Sequence, residues 1–310
     1  MKRALVTGGA GFIGSNLALE LERRGTEVVV LDDFSTGSYE NLRGFSGDVV
    51  AGDLCRPEQW TARIGEIDAI FHQAANTDTT VTDQRKMMES NVEAFRNLLD
   101  FAAQPGVRRR VYASSAGVYG AGPVPMRETG AQEPMNVYGF SKKVMESVAR
   151  SWSRSEPALG LIGLRYFNVY GPREQSKAKA ASMIWQLHLQ MRGGRRPRVF
   201  KFGEQYRDFI YVKDVVAANL AAAQKKVSGV FNVCTGKKTT FNEVIDALNA
   251  TLGARHKPDY FKNPYSFYQN ETLGDPGQAA RQLKFRARYS VAEGIEDYFK
   301  GRKTGAAAGA

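Results

Sequence analysis

The stretch from Met1 to Asp33, MKRALVTGGAGFIGSNLALELERRGTEVVVLDD, limits the possible folds more than any other part of the chain. Its pattern predicts a short strand over Arg3 to Thr7, a glycine turn, an amphipathic helix, and a second strand over Glu27 to Leu31 that ends in Asp32. That is a complete βαβ unit. Gly8, Gly11 and Gly14 stand at GxxGxxG spacing, where missing Cβ atoms permit a tight turn, close backbone approach to a pyrophosphate, and close packing of helix on strand. The first helical residues, Phe12 and Ile13, would aim free N–H groups and the positive end of the helix dipole at those phosphates. Asp32 follows at about twenty residues, where a carboxylate accepts both hydroxyls of an adenosine ribose. Three spaced glycines alone are a weak signal. Strand, helix and acid in this order predict a dinucleotide site rather than a structural turn.

With 310 residues, 43% of them hydrophobic, the chain has room for one large domain and a smaller one around a conventional core. No apolar run reaches the roughly 18 residues of a membrane span. The N-terminus forms a strand rather than a signal peptide, so a cytosolic protein with no membrane partner is expected. Cys55 and Cys234 lie far apart without metal-ligand spacing, which predicts two reduced thiols and no metal site. His72, His188 and His256 are the only histidines, which leaves little room for histidine-based catalysis. The net charge of +11 raises the question of nucleic acid, but the basic residues fall in short scattered runs with no RNA-binding signature. A solvated surface that attracts an anionic substrate is the preferred reading, with no nucleic-acid partner.

After Asp32 come Asp33, Phe34 and Ser35, and no arginine or lysine appears until Arg43. A ribose 2′-phosphate would meet carboxylates and no cation, so NAD is expected rather than NADP, which stays possible. A third strand near Val49 to Ala51 leads to Asp53 and Leu54, suited to the amino group and the face of an adenine; a plain loop aspartate is the alternative. A fourth strand over 67–75 runs into Ala74 and Ala75, small enough for the cofactor to lie against backbone, while its His72 reads as a packed histidine. Helical periodicity from Gln84 to Ala103 carries Asn91, either a packing residue or a brace for the adjoining backbone.

A fifth strand within 109–120 delivers Ser114 and Ser115 to its C-terminal end, the edge where open α/β sheets bind ligands. Tyr138 and Lys142 then share one helix face at YxxxK spacing. The pairing has a physical purpose. A free tyrosine ionises near pH ~10, and bringing it to neutrality takes about 4 kcal/mol of differential stabilisation, which a neighbouring ammonium favours.

These motifs, TGGAGFIGSNL, SSAGVYG, YGFSK and RYFNVYGPRE, resemble those of extended short-chain dehydrogenase/reductases, the class of nucleotide-sugar epimerases and dehydratases. The resemblance implies an α/β protein, a doubly wound parallel Rossmann sheet with a smaller C-terminal α/β substrate-binding domain. The division expected is 1–166 with 209–236 and about 269–288 for the dinucleotide, and 167–208 with 237–268 and 289–310 for the substrate. It implies a catalytic set of Ser115, Tyr138 and Lys142, with Val169 beside the cofactor, and a homo-oligomer.

The stretch GPREQSKAKAASMIWQLHLQ, with PRVFKFGEQYRDFIYVKDV and FYQNETLGD, is similar to ADP-glyceromanno-heptose 6-epimerases. In that family a lysine at the position of Lys177 is the second acid/base beside the tyrosine. Inversion through a planar 6-ketone needs the hydroxyl proton removed on one side and supplied on the other, which one fixed group does poorly. The same resemblance makes Asn168, Phe200, Gly203, Arg207 and Tyr268 contacts of a nucleotide-diphosphate sugar, with the planar fork of Arg207 suited to the diphosphate. Lys179 and Gln186 occupy substrate-contacting positions where the family has a small polar residue and a histidine. Those two departures bear on the sugar more than on the reaction. The LDDFSTG turn is similar to that of UDP-hexose 4-epimerases, in which one tyrosine serves both faces and Lys177 would be dispensable. A 4,6-dehydratase would want an Asp-Glu pair where this chain has Ala116 and Gly117. A non-catalytic dinucleotide-binding scaffold would leave the Ser115, Tyr138 and Lys142 set without a purpose.

Overall fold

A computed structural model of the chain describes residues 1–78, 83–262 and 271–300. Seven parallel strands form the central sheet: β1 (Arg3–Thr7), β2 (Glu27–Asp32), β3 (Asp48–Ala51), β4 (Ala69–His72), β5 (Arg109–Ser115), β6 (Ile162–Tyr166) and β7 (Gly229–Val233). Their order across the sheet is β7, β6, β5, β4, β1, β2, β3. The apolar runs ALV, VVVL and AIF have no polar alternation because both faces of a parallel sheet are covered. One face packs Val6, Val30 and Phe71 against Leu17 and Leu21 of helix α1 (Phe12–Arg23). The opposite face packs Leu5, Val29 and Ile70 with Trp60, Leu98 and Phe101. Strand order reverses between β1 and β4, so their carboxyl ends open the crevice in which such sheets bind ligands.

Helix α2 spans 84–102 as two α-helical pieces joined by a π-helical turn at Glu89–Glu93, the turn that holds Asn91. Helix α3 (Val137–Ser155) starts at Asn136, whose side chain accepts a hydrogen bond from Gly139 N. After β6 the chain leaves the sheet. Residues Asn168–Tyr170 pair in parallel with Phe209–Tyr211 outside it, and Val212–Ala223 forms a helix before β7 rejoins the sheet beside β6. Of residues 208–234 only β7 therefore pairs with the central sheet. A second apolar cluster joins the helices Met183–Arg192, Phe241–Leu252 and Val291–Phe299 through Ile184, Val244, Leu248 and Ile295. Among the described residues no helix is long and apolar enough to cross a membrane.

One buried ion pair fastens α3 to the sheet. Glu146 is fully buried, and its carboxylate accepts from Arg165 Nε at 2.8 Å, Arg165 Nη2 at 2.6 Å and Ser114 Oγ at 2.6 Å. Arg165 also donates to Tyr119 Oη at 2.6 Å. The bidentate geometry ties the helix of Tyr138 and Lys142 to β5 and β6. Removing the carboxylate strands a guanidinium that is only 1% exposed. Glu146→Ala is expected to lower unfolding free energy by about 3–5 kcal/mol, measured by denaturant titration.

Candidate active site

At the end of β1 the glycine turn is built by close backbone contact. Gly8 has φ +64°, and a Cβ there would lie 2.6 Å from the Ala74 backbone after β4. At Gly14 a Cβ would lie 2.0 Å from the Gly8 carbonyl oxygen, so the third glycine lets α1 pack on the turn. Gly11 caps α1 with no side-chain acceptor, which leaves the first N–H groups, those of Phe12 and Ile13 included, to a ligand. Asp32 is 6% exposed, with Oδ2 accepting from Ala10 N at 2.8 Å and Oδ1 from Phe34 N at 2.9 Å. Burial raises its pKa, against the two backbone hydrogen bonds. Asp33 is exposed and accepts from Ser35. Asp53 turns back to Cys55 N at 2.8 Å, beside the buried Leu54. This cradle of glycine backbone, free N–H groups and neighbouring carboxylates fits a dinucleotide.

Asn91 is fully buried and braces the floor of the crevice. Its Oδ1 accepts from Asn76 N at 2.8 Å, and its Nδ2 donates to Asn76 O at 3.1 Å and to Ser141 Oγ at 2.9 Å. Ser141 Oγ donates in turn to Tyr138 O at 2.7 Å. The segment bearing Ala74 and Ala75 is thereby locked to α3. His72 is packed, as its sequence context predicts: Nδ1 lies 2.7 Å from Thr7 Oγ1, and the ring stacks on Phe95. Burial, with the Lys142 charge adding to it, pushes its pKa down to about 3, so the ring is neutral.

Ser115, Tyr138 and Lys142 come together where β5 ends. Ser115 Oγ accepts from Gly117 N at 3.0 Å, and its hydroxyl hydrogen-bonds to the Tyr138 phenol. Lys142 is 1% exposed; its Nζ donates to Ala113 O at 2.9 Å and stands 6.0 Å from the centre of the Tyr138 ring. In one respect the electrostatics depart from the simple expectation. Burial raises the Tyr138 pKa, and the opposing influence is the Ser115 hydrogen bond rather than the ammonium. The reason is that burial lowers Lys142 itself to about 7, with Glu146 opposing. A lysine whose charged form burial disfavours, tied to a carbonyl, does little to stabilise a neighbouring phenolate.

The loop after the short strand Asn168–Tyr170 carries Lys177, which is half-buried and not in bulk solvent. Burial lowers its pKa, and the neighbouring Glu174 carboxylate opposes the shift. Two non-glycine residues of this loop have positive φ, Arg173 at 75° and Ala178 at 47°. Such strain costs about 1–3 kcal/mol per residue and persists only where surrounding contacts enforce it. Gln186 Nε2 donates to Ala178 O at 2.9 Å, so this residue supports the loop. Lys179 lies in the same Glu174–Ala180 segment.

Of the other substrate-side residues, Asn168 and Val169 sit half-buried in their short strand, with Asn168 N bonded to Asp208 O. Phe200 is 8% exposed and edge-on to Phe261. Gly203 has φ +70°, and a Cβ there would lie 2.1 Å from Asn242 Oδ1. Arg207 is 8% exposed and donates to Tyr206 O at 2.8 Å. Tyr268 lies outside the described residues. Three groups that the motifs did not single out complete the surroundings: Asn41, Glu174, and the hydrogen-bonded trio Gln73, Tyr166 and Asn219. A lone Asn in a loop carries no periodic signal, and Glu174 was visible only as the last letter of GPRE.

A doubly wound sheet with a glycine-turn cradle and a Tyr-Lys helix beside it defines a dinucleotide-binding α/β protein. The sequence profile of the NAD dependent epimerase/dehydratase family matches residues 4–234, and the chain belongs to that family. The extended short-chain dehydrogenase/reductase resemblance is borne out. Among solved structures, ADP-L-glycero-D-manno-heptose-6-epimerase of Helicobacter pylori is 41% identical, with 96% of this chain and 95% of that chain covered at a TM-score of 0.90. UDP-glucose 4-epimerase of Thermotoga maritima, solved with UDP-glucose, is 30% identical, with 97% and 99% covered at 0.89. UDP-N-acetylglucosamine 4-epimerase of Methanobrevibacter ruminantium is 28% identical, with 96% and 97% covered, also at 0.89.

Two outcomes follow from this geometry. Gly14→Ala is expected to weaken NAD binding and lower stability together, because its methyl group would collide with the Gly8 carbonyl; isothermal titration and thermal unfolding read the two effects. For Lys142, the unfolded chain holds the proton below its ordinary value of 10.5 and the folded chain only below about 7. Its contribution to stability is therefore present at alkaline pH and is lost as pH falls through that window. Lysine-selective NMR without dinucleotide should find the Lys142 midpoint near 7, and lower still in Glu146→Gln.

Proposed function

We propose that this protein is a nucleotide-sugar epimerase that inverts C6 of an ADP-linked heptose through a transient 6-keto sugar. The observation that carries the reading is the second amine. Lys177 is half-buried, its charge disfavoured by burial and held by Glu174. That is the setting of an acid/base group, since an ammonium whose pKa is lowered gives up and regains its proton more readily. The 41% identity to the Helicobacter pylori heptose epimerase supports the same reading.

When bound, NAD supplies a hydride acceptor at the start of the reaction and the donor that restores the sugar at its end. NAD is preferred over NADP because Asp32 and Asp33 follow the second strand and no arginine or lysine lies between them and Arg43. Tyr138, with Ser115 on its hydroxyl, takes the C6 hydroxyl proton on one face. After the 6-ketone turns about the neighbouring carbon bond, the Lys177 ammonium supplies a proton to the C6 oxygen on the other face; in the reverse direction the two groups exchange roles. Lys142 orients the nicotinamide ribose, and Asn91 holds the helix that carries it. Asn168, Lys179, Gln186, Phe200, Gly203, Arg207 and Tyr268 are proposed to line the sugar and its diphosphate. The two-lobe division keeps residues 1–166 on the dinucleotide side and 167–208 on the substrate side.

A UDP-hexose 4-epimerase is the second reading, favoured by the UDP-sugar epimerases at 28–30% identity. The discriminating experiment is Lys177→Met assayed on ADP-, GDP- and UDP-sugars by NMR in deuterated water. On the 6-epimerase reading this variant keeps NAD and loses turnover, while Tyr138→Phe lowers kcat by about 10²–10⁴-fold. In the parent, C6 inverts without picking up solvent deuterium. Near-normal turnover of Lys177→Met would favour the 4-epimerase, and deuterium at the inverted carbon would replace the keto-sugar scheme with an enolising one.

A further inference from the structure

The loop that presents Lys177 is closed on itself by one carboxylate and moored to the glycine-turn side, the tie nearest the amine being one amide. Glu174 is 0% exposed. Its Oε1 accepts from Gly171 N at 3.1 Å before the loop, and its Oε2 from Ser182 N at 2.7 Å after it. Asn41, 2% exposed, donates from Nδ2 to Ala10 O at 2.9 Å and to Ser176 Oγ at 3.0 Å. Ala10 belongs to the glycine turn, and its N–H is held by Asp32. Ser176 immediately precedes Lys177. Arg173, at positive φ, points its Nε at Asn41 O, 2.9 Å away, and Asn16 Nδ2 reaches Pro172 O at 2.9 Å. A continuous set of hydrogen bonds therefore runs from Asp32 through Ala10, Asn41 and Ser176 to the residue beside the amine.

We propose that Glu174 and Asn41 are positioning residues that set where the Lys177 amine stands relative to the bound dinucleotide. This deepens the two-base reading of the site and rests on it. A clip that served stability alone could be made by any acceptor. Here the carboxylate spans both ends of a strained loop next to the amine, and the mooring begins at the turn that carries the pyrophosphate. Glu174 is the charged group that acts on Lys177, while Arg173 turns away toward Asn16 and Asn41.

Two variants test the proposal on the NAD-loaded full chain. In Glu174→Gln the new amide must set an N–H against one of two backbone N–H donors, which opens the loop. In Ser176→Ala the link from Asn41 to the residue beside the amine is lost, while Glu174 and the Arg173 and Asn16 contacts remain. Both are expected to lower kcat, by about 10²-fold for Glu174→Gln since misplacement of about 1 Å costs that much. KM and NAD affinity should stay near the parent values. Acetylation of Lys177, read by mass spectrometry against Lys142 as reference, should become several-fold faster in both. Parent kcat and parent labelling in both variants would overturn the proposal, and so would a loss of kcat matched by equal losses of NAD affinity with Lys177 labelling unchanged. If Glu174→Gln does not fold, Ser176→Ala carries the test alone. An active Lys177→Met would sink the two-base reading itself. An inactive Lys177→Met beside unaffected Glu174 and Ser176 variants would sink this inference only.

Discussion

The close passage of the first glycine turn over the end of β4 is the constraint on which the remaining structure depends. Gly8 sits at φ +64° with no room for a Cβ against Ala74, and Gly14 lets α1 rest on the Gly8 carbonyl. A side chain at either place would push helix and strand apart at the point where strand order reverses. The crevice between β1 and β4, the inward carboxylate of Asp32 and the bracing of residues 74–76 by Asn91 all presuppose that contact. Backbone approaching backbone is what gives a pyrophosphate N–H groups rather than side chains to meet.

Around this frame the protein withdraws many ionisable groups from water, and three of the settings differ in kind. Arg165 and Glu146 are paired bidentately, so their desolvation is offset by mutual attraction and the pair serves as a fastener. Lys142 receives only a carbonyl at close range, and its charged form is correspondingly disfavoured. Lys177 lies between these cases: half-buried, with one carboxylate nearby whose oxygens are already engaged by backbone N–H groups. Desolvation thus tunes the two lysines toward neutrality while the arginine stays fully ionised, which separates groups suited to moving or orienting protons from a group suited to holding elements together.

Much of the architecture was legible because parallel strands buried on both faces appear as uninterrupted apolar runs, and β1, β2, β4 and β5 fall where those runs lie. The Tyr138 and Lys142 pairing was legible because helical spacing alone puts both on one face. Less legible was the region after β6. Phe209–Tyr211 are apolar enough for the central sheet yet pair with Asn168–Tyr170 outside it, since strand partners are chosen by packing and not by composition. The ionisation of the site was also hidden. Spacing suggested that Lys142 would draw the Tyr138 proton off, whereas burial weakens the lysine's own charge, a consequence of surroundings assembled from β5, α3 and β4.

By itself the sequence determined the βαβ opening, the glycine turn with Asp32 and Asp33 at the end of the second strand, and the tyrosine and lysine one helical turn apart, because local spacing and residue type suffice for each. Only the tertiary structure decided that Asn91 and Asn41 join segments far apart in the chain, that Glu174 closes its loop, and that burial disfavours the charge of the two lysines while pairing holds that of Arg165. Hydrogen-bond partners and desolvation depend on which distant residues arrive beside a group, and no local pattern records that.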